Sequence, residues 1–366
     1  MPTGPRPSSS GGEGARLVLV SDEMPGIRRV RRGHGFGYRA SDGLWLRDGD
    51  EIQRIRKLAI PPAYRDVWIC PLPNGHLQAT GRDARGRKQY RYHPEWRVAR
   101  DTDKFAQLLD FGLALPRLRG RVARDLRSGP RLSREVLLAG LMRLLDKALL
   151  RVGNEEYARS NGSYGLTTLR NPHARVNGDE LRLNFRGKSG VRQDITLQDA
   201  RLARIVRRCQ RLPGRDLFQY QDETGEVRGV SSADVNRYLS AAAGGAGFTA
   251  KDFRTWHASV LALELTRQAC EQDERTRFNA KAAKSVLAEV AARLGNTPAV
   301  CKRSYVHPAV QALWRELCSR DADAAATARK RLKQLHPRRP GSGLRLQEQR
   351  LLLFLGSEHR GRRTGD

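Results

Sequence analysis

The amino-acid sequence predicts an α+β protein: a small β-rich amino-terminal domain followed by a larger, mainly α-helical domain that carries a small antiparallel sheet. Three observations predict it. A chain of 366 residues is long enough for two cores of ordinary size. From Arg28 to about Arg100 the apolar residues form short runs punctuated by glycine and turn residues. From Asp101 onward they recur at three- and four-residue spacing. The expected organisation is a flexible Pro/Gly/Ser-rich leader over 1–27, a β-rich domain over 28–100 and a helical domain over 101–320. A basic, partly disordered appendage over 321–366 follows.

In the first domain, Phe36–Tyr38, Trp45–Leu46, Val67–Cys70, Leu77–Ala79 and Tyr90–Tyr92 read as strands. Asp42-Gly43 and Pro73-Asn74-Gly75 supply turns, and one short helix runs from Gly49 to Leu58. In the second, Val136, Leu137, Leu141, Leu144, Leu145 and Leu149 mark a helix over Glu135–Leu150 with Ser133 as its N-cap. A local β region comprises Leu166–Leu169, Ala174–Val176, Glu180–Phe185 and Val191–Ile195. Asn177-Gly178 and Gly187-Lys188-Ser189-Gly190 join the later segments as hairpin turns. Helices follow at Asp199–Gln210, Ala233–Ala242 and Ala250–Ala269, the last two with Ser231/Asp234 and Thr249/Asp252 as capping pairs. A helix over Ala280–Leu294 stops at Gly295, and Thr297-Pro298 starts the next.

Composition narrows the function. Lys and Arg number 68 against 39 acids, a net charge of +29. The segment from Arg320 to Asp366 contributes only +7 of it. A body this basic expects a polyanion, nucleic acid being the commonest large one. No apolar run approaches the ~18 residues needed to span a bilayer, and the amino end lacks the apolar segment of a secretory signal. Five widely spaced cysteines without a C-x-x-C pair form neither a disulfide framework nor a zinc ligand set, which suits a reduced, cytoplasmic setting. Phosphate-binding P-loops, G-x-S-x-G elbows and H-E-x-x-H helices are all missing from the sequence.

Five short segments in order carry more: Leu150-Arg-Val-Gly-Asn154, Asn184-Phe-Arg-Gly-Lys-Ser189, Thr249-Ala-Lys-Asp-Phe-Arg-Thr255, Leu294-Gly-Asn-Thr-Pro298 and Lys302-Arg-Ser-Tyr-Val306. Together they resemble the type IB DNA topoisomerases, in the compact bacterial branch related to the poxvirus enzymes. The likeness runs from about Arg28 to Arg320. It implies a clamp closing around duplex DNA, and relaxation of supercoils by transient cleavage of one strand through a 3′-phosphotyrosyl link. It also implies no ATP, no obligatory metal and no cofactor. Double-stranded DNA is the implied partner of a monomer acting in the cytoplasm with the nucleoid.

The resemblance implies roles for five residues, four of them with an ordinary alternative. Arg151 and Arg254 would clamp the phosphate, a task suited to a planar guanidinium that never deprotonates; otherwise they are two more arginines on solvated faces. Lys188 would protonate the leaving 5′ oxygen; otherwise it is a solvated turn lysine. Tyr305 would be the nucleophile; otherwise it is a tyrosine packed at a helix end. Asn296 stands where the best-known members have His, and would donate its amide to a non-bridging oxygen. His257, one turn after Arg254, invites a substitute role, although a His on a helix face is more often packed.

Outside this pocket, the segment Gly81–Tyr92 alternates cations with aromatics on an expected hairpin. Arg82, Arg85, Arg87 and Lys88 are candidates for phosphates. Gln89, Tyr90 and Tyr92 are candidates for base edges or sugars, and Tyr157 would join from the other half of the clamp. Two other readings share parts of this pattern. A tyrosine recombinase or integrase uses the same Arg, Lys, Arg, Tyr chemistry but usually has His three residues before the second Arg, where Lys251 stands. A non-enzymatic basic DNA-binding protein would keep the shape without the activity.

Overall fold

A computed structural model describes residues 17–84, 86–128, 131–272, 278–337 and 343–363, apart from the side chains of 97–104, 156, 157, 160, 272 and 359–363. It separates into two compact units, Met1–Asp103 and Lys104–Asp366.

The first unit is built on an antiparallel sheet of β1 (Ile27–Arg32), β2 (Gly35–Arg39), β3 (Arg65–Ile69), β4 (Leu77–Arg82) and β5 (Lys88–Tyr92), in the order β2-β1-β3-β4-β5. Helix α1 (Gly49–Lys57), capped by the Asp48 carboxylate, packs Ile55 against Ile27, Val67, Ile69 and Ala79. Because strand side chains alternate between faces, Trp68 and Cys70 point the other way. They form a second small cluster with Val20 and Leu77.

That cluster corrects the expected leader over 1–27. Residues 17–26 are structured: Val20 is buried, and the Trp68 indole donates to the Met24 carbonyl at 2.9 Å. Asp22 accepts from Thr80 at 2.9 Å and pairs with Lys88 at 2.6 Å. Residues 1–16 lie outside the described residues. Strand β1 was not expected because Arg28, Arg29, Arg31 and Arg32 mask any apolar alternation. Arg29 is nonetheless partly buried, donating to the carbonyls of Ile60, Pro61 and Tyr64. Trp45 makes a single bridge to Arg39 instead of a strand.

Helix α2 (Pro94–Asp125) enters the second unit, followed by α3 (Arg134–Ala148) and α4 (Glu155–Asn161). A three-stranded antiparallel sheet β6 (Ala174–Asn177), β7 (Glu180–Arg186) and β8 (Arg192–Gln198) comes next, then α5 (Ala200–Gln210) and the hairpin β9 (Gln219–Gln221) and β10 (Val227–Gly229). The rest is helical: α6 (Ser232–Ala242), α7 (Ala250–Gln272), α8 (Ala280–Leu294), α9 (Pro298–Ser304), α10 (Pro308–Leu317), α11 (Ala322–Lys333) and α12 (Leu346–Arg363). The caps follow local chemistry. Ser133 accepts from Val136 N, Ser231 and Asp234 bond reciprocally, and Thr297 accepts from Val300 N ahead of Pro298. Leu166–Thr168, expected as a strand, is a single 3-10 turn held by the Thr168 hydroxyl.

One hydrophobic core joins these elements, with α7 through its middle. The expected appendage over 321–366 is corrected here as well. Ala328, Leu332 and Leu335 from α11 and after it, with Leu351, Phe354 and Leu355 of α12, are buried in that core. The short Leu351–Leu355 run is an inward helix face, too brief to stand out in a segment full of Arg, Pro and Gly. Among the described residues no helix is long and apolar enough to cross a membrane.

Candidate active site

The candidate residues are arranged around Arg254. Arg254 sits one turn into α7, only 4% exposed. Its Nη1 donates to the Leu149 carbonyl at the end of α3, and its Nη2 to the Leu294 carbonyl at the end of α8, at 2.8 Å. Leu149 adopts a left-handed φ of 55°, which ends α3 and turns the chain toward Arg151. One guanidinium therefore ties together the ends of the two helices that lead into Arg151 and Asn296.

Arg151 follows α3 in a segment stitched to the next turn, its carbonyl accepting from Leu166 N at 2.8 Å. Its side chain donates from Nη2 to Asn296 Oδ1. Asn296 stands just after Gly295, whose φ of +60° closes α8 in the conformation glycine adopts without strain. With Oδ1 accepting from Arg151, the amide of Asn296 keeps Nδ2 for another acceptor. Asn296 Nδ2 and Arg254 Nε are both buried and have no hydrogen-bond partner among the described residues. Buried donors left unpaired are costly, so a pair of them in one pocket marks a place for an anion.

Tyr305 closes the cluster. It ends α9, its N–H donating to Cys301 O at 2.9 Å, and its carbonyl accepts from Ser259 Oγ on α7 at 3.1 Å. The same Ser259 hydroxyl accepts from His307 N at 3.0 Å, so the chain on both sides of Tyr305 is pinned to α7. The Arg254 guanidinium carbon lies 5.1 Å from the centre of the phenol ring. Burial pushes the phenol pKa up, but the charge and hydrogen bond of Arg254, then the charges of Arg151 and Lys251, outweigh it and hold it below the ordinary 10. Burial and the repulsion of Arg254 in turn lower the pKa of Arg151.

Thus Arg151, Arg254, Asn296 and Tyr305 are brought together from four separate stretches. Lys188 is not among the leading influences on Tyr305; it stands exposed on the β7–β8 turn, where Ser189 (φ 61°) and Gly190 (φ 79°) reverse the chain. Lys251, on the same first turn of α7 as Arg254, carried only the signal of its i, i+3 spacing. Ser259 carried none, since a buried serine whose hydroxyl also bonds the carbonyl of Thr255, four residues back, looks like any helix serine.

His257 has a different occupation. Its Nε2 bonds Asp146 Oδ1 at 2.9 Å, and Asp146 accepts both from it and from Arg119. Arg119 in turn donates at 2.7 Å to each oxygen of Glu348, which is fully buried on α12. Asp146, His257 and Glu348 bring ligand atoms within 4.8 Å of one another, but the Arg119 guanidinium already engages all four carboxylate oxygens. This network joins α2, α3, α7 and α12 behind the pocket. His257 and Asp146 stand three residues from Arg254 and Leu149 respectively, which doubles the tie between α3 and α7.

The amino-terminal candidates lie on the β4–β5 hairpin. Arg82 is half exposed and donates to Gly86 O at 2.9 Å. Arg87 pairs with Asp83, Gln89 donates to Asp83, and Lys88 pairs with Asp22. Tyr90 and Tyr92 are exposed on one face of β5 with their rings stacked, 6.1 Å apart and 11° from parallel. Arg85 and the Tyr157 side chain lie outside the described residues.

Comparison with known proteins finds relatives over most of the chain. Residues 93–331 match the family model described as the eukaryotic DNA topoisomerase I catalytic core, and residues 35–83 match that of the bacterial DNA topoisomerase IB N-terminal domain. The chain is 35% identical over 291 residues to DNA topoisomerase 1B of Acanthamoeba polyphaga mimivirus, covering 77% of this chain and 85% of that protein. It is 23% identical over 246 residues to DNA topoisomerase 1B of Vaccinia virus (strain Copenhagen), covering 66% and 73%.

Proposed function

The chain belongs to the type IB DNA topoisomerases, and on that premise we propose how its pocket cuts and rejoins one strand of duplex DNA to relax supercoils. The observation that carries the proposal is the pair of unspent buried donors, Arg254 Nε and Asn296 Nδ2, beside a phenol whose pKa is held down by two guanidiniums.

A scissile phosphate enters with its non-bridging oxygens accepting from Arg254, Asn296 and Arg151. Tyr305 attacks as the phenolate, its proton released to water. A bond forms from its oxygen to phosphorus, and the bond to the 5′ oxygen breaks. Lys188 gives that oxygen a proton, since an alkoxide leaves reluctantly. The equatorial oxygens carry negative charge in the transition state, and the guanidiniums meet it where a phosphoryl-transfer enzyme would otherwise place a metal. The product is a 3′-phosphotyrosyl link and a free 5′-hydroxyl. After the duplex rotates, that hydroxyl returns its proton to Lys188 and attacks phosphorus, releasing Tyr305. The torsion stored in the DNA drives relaxation, so ATP has no part.

In this proposal the stacked tyrosines and cations of the β4–β5 hairpin grip the duplex as the amino-terminal part of a clamp. Arg85 and Tyr157 belong to the same gripping set, and the enzyme acts as a monomer with the nucleoid in the cytoplasm. Lys251 in place of His three residues before Arg254 speaks against a recombinase. Relaxation of supercoiled plasmid in EDTA without ATP, lost in Tyr305→Phe with DNA binding kept, tests the proposal. A strict ATP requirement overturns it.

A further inference from the structure

On strand β8 one polar side chain stands where the pattern demands an apolar one. Leu181, Leu183 and Phe185 of β7 face the core, and their partners across the hairpin are Leu197, Ile195 and Gln193. Paired residues of an antiparallel ladder share a face, so Gln193 points inward with Ile195 and Leu197. Polar residues at inward positions are where function commonly overrides local pattern.

Gln193 lies against two glycines from different parts of the chain. A Cβ on Gly187 would stand 3.1 Å from its Cγ, and a Cβ on Gly295 would stand 2.6 Å from its Nε2. Gly187 immediately precedes Lys188, and Gly295 immediately precedes Asn296. The side chain therefore runs from the turn bearing Lys188 to the turn bearing Asn296, its stem on one and its amide on the other. The Lys188 turn is internally closed, with Gly187 N donating to Val191 O at 2.8 Å, so displacing Gly187 displaces Lys188 with it.

We infer that Gln193 is a positioning residue: it spaces the Lys188 turn from the Asn296 turn and so aims the ammonium at the leaving oxygen. This rests on the role proposed for Lys188. An exposed lysine on a two-strand turn depends on the placing of that turn for the register that proton transfer requires, and a misplacement of 1 Å costs about 10²-fold in rate.

The test is single-turnover cleavage of a duplex at a site first mapped for this enzyme, compared with the same duplex carrying sulfur as the 5′ bridging atom. A thiolate leaves without a proton, so sulfur removes the need for the donor alone. Lys188→Ala is expected to lose about 10²–10⁴-fold on oxygen and to recover on sulfur. Gln193→Ala is expected to lose about 10–100-fold on oxygen, to recover on sulfur, and to bind the duplex as the parent does. Gln193→Met, which keeps the length, restores most of the oxygen rate. Parental speed of Gln193→Ala on oxygen, equal slowness on both substrates, or a Gln193→Met as slow as the alanine variant overturns the inference. If Lys188→Ala fails to recover on sulfur, the donor role itself falls, an outcome separable from the others.

Discussion

The carbonyl of Tyr305 and the side chain of Arg254 are both fixed by α7: Ser259 Oγ donates to the former at 3.1 Å, and the latter lies 5.1 Å over the ring of the same tyrosine. The proposed nucleophile and the proposed clamp thus share one support, the six residues of α7 from Arg254 to Ser259. That arrangement supplies preorganisation, since neither group needs to reorder when phosphate arrives.

The phenol pKa follows from this support. A folded-state pKa below 10 means that cleavage rises with pH and levels off below the ordinary phenol value. Lys251→Ala removes one of the lowering charges, so the whole profile should move to higher pH. Single-turnover cleavage against pH checks this, and a profile unmoved or shifted downward contradicts it.

Tyr305→Phe should abolish plasmid relaxation, since it removes the hydroxyl that forms the covalent link in the proposed reaction. Gel-shift affinity should stay at the parental level. Trapping of a covalent protein–DNA adduct by detergent should be seen for the parent and absent for the variant.

Asn296→Ala removes one unspent donor and the acceptor of Arg151 Nη2. Loss of one preorganised donor costs about 10²–10³-fold in the chemical step. Rapid-quench cleavage measures it; a rate equal to the parent's would remove Asn296 from the mechanism.

Glu348→Ala leaves half-buried Arg119, still paired with Asp146, with part of its charge uncompensated. Breaking a fully buried pair costs about 3–5 kcal/mol, so this change should cost less than that, visible as a lower midpoint in urea. The network also contributes to the acid limit. Burial raises the Asp146 and Glu348 pKa values, but the His257 and Arg119 contacts of Asp146 and the Arg119 contact of Glu348 more than reverse this. Their stabilisation is fully present above the unfolded carboxylate values near pH 4 and is lost as pH falls through the depressed folded ones. Thermal melts from pH 7 to 3 should fall steeply at the acid end, and less so in Glu348→Gln.

Binding should weaken steeply with salt, by a slope of about −0.9 per phosphate neutralised. Arg82→Ala should reduce that slope by about one. The double substitution of Tyr90 and Tyr92 by Ala should weaken binding while leaving the slope intact, because neither ring carries charge.

Much of the helical framework was legible because its causes are local. Ser133, Ser231 and Thr297 cap the helices they precede, Gly295 ends α8, and Asn177-Gly178 turns β6 into β7. Where local signals were mixed, the expectation failed. Four arginines hid strand β1, and a five-residue apolar run in a basic, proline-broken tail hid the buried face of α12. Trp68 holding the Met24 carbonyl made structure of residues that composition marked as leader.

The one-dimensional order of Arg151, Lys188, Arg254, Asn296 and Tyr305 was enough to name the family and the kind of chemistry, because residue type and spacing in short motifs survive without knowledge of any contact. Which side chains meet was decided only by folding. Arg254 reaching two helix ends, Ser259 pinning Tyr305, Glu348 closing a buried charge network from the far end of the chain and Gln193 reaching Gly295 are all pairings between residues tens to hundreds of positions apart. Their energies come from shared burial, which no local pattern encodes.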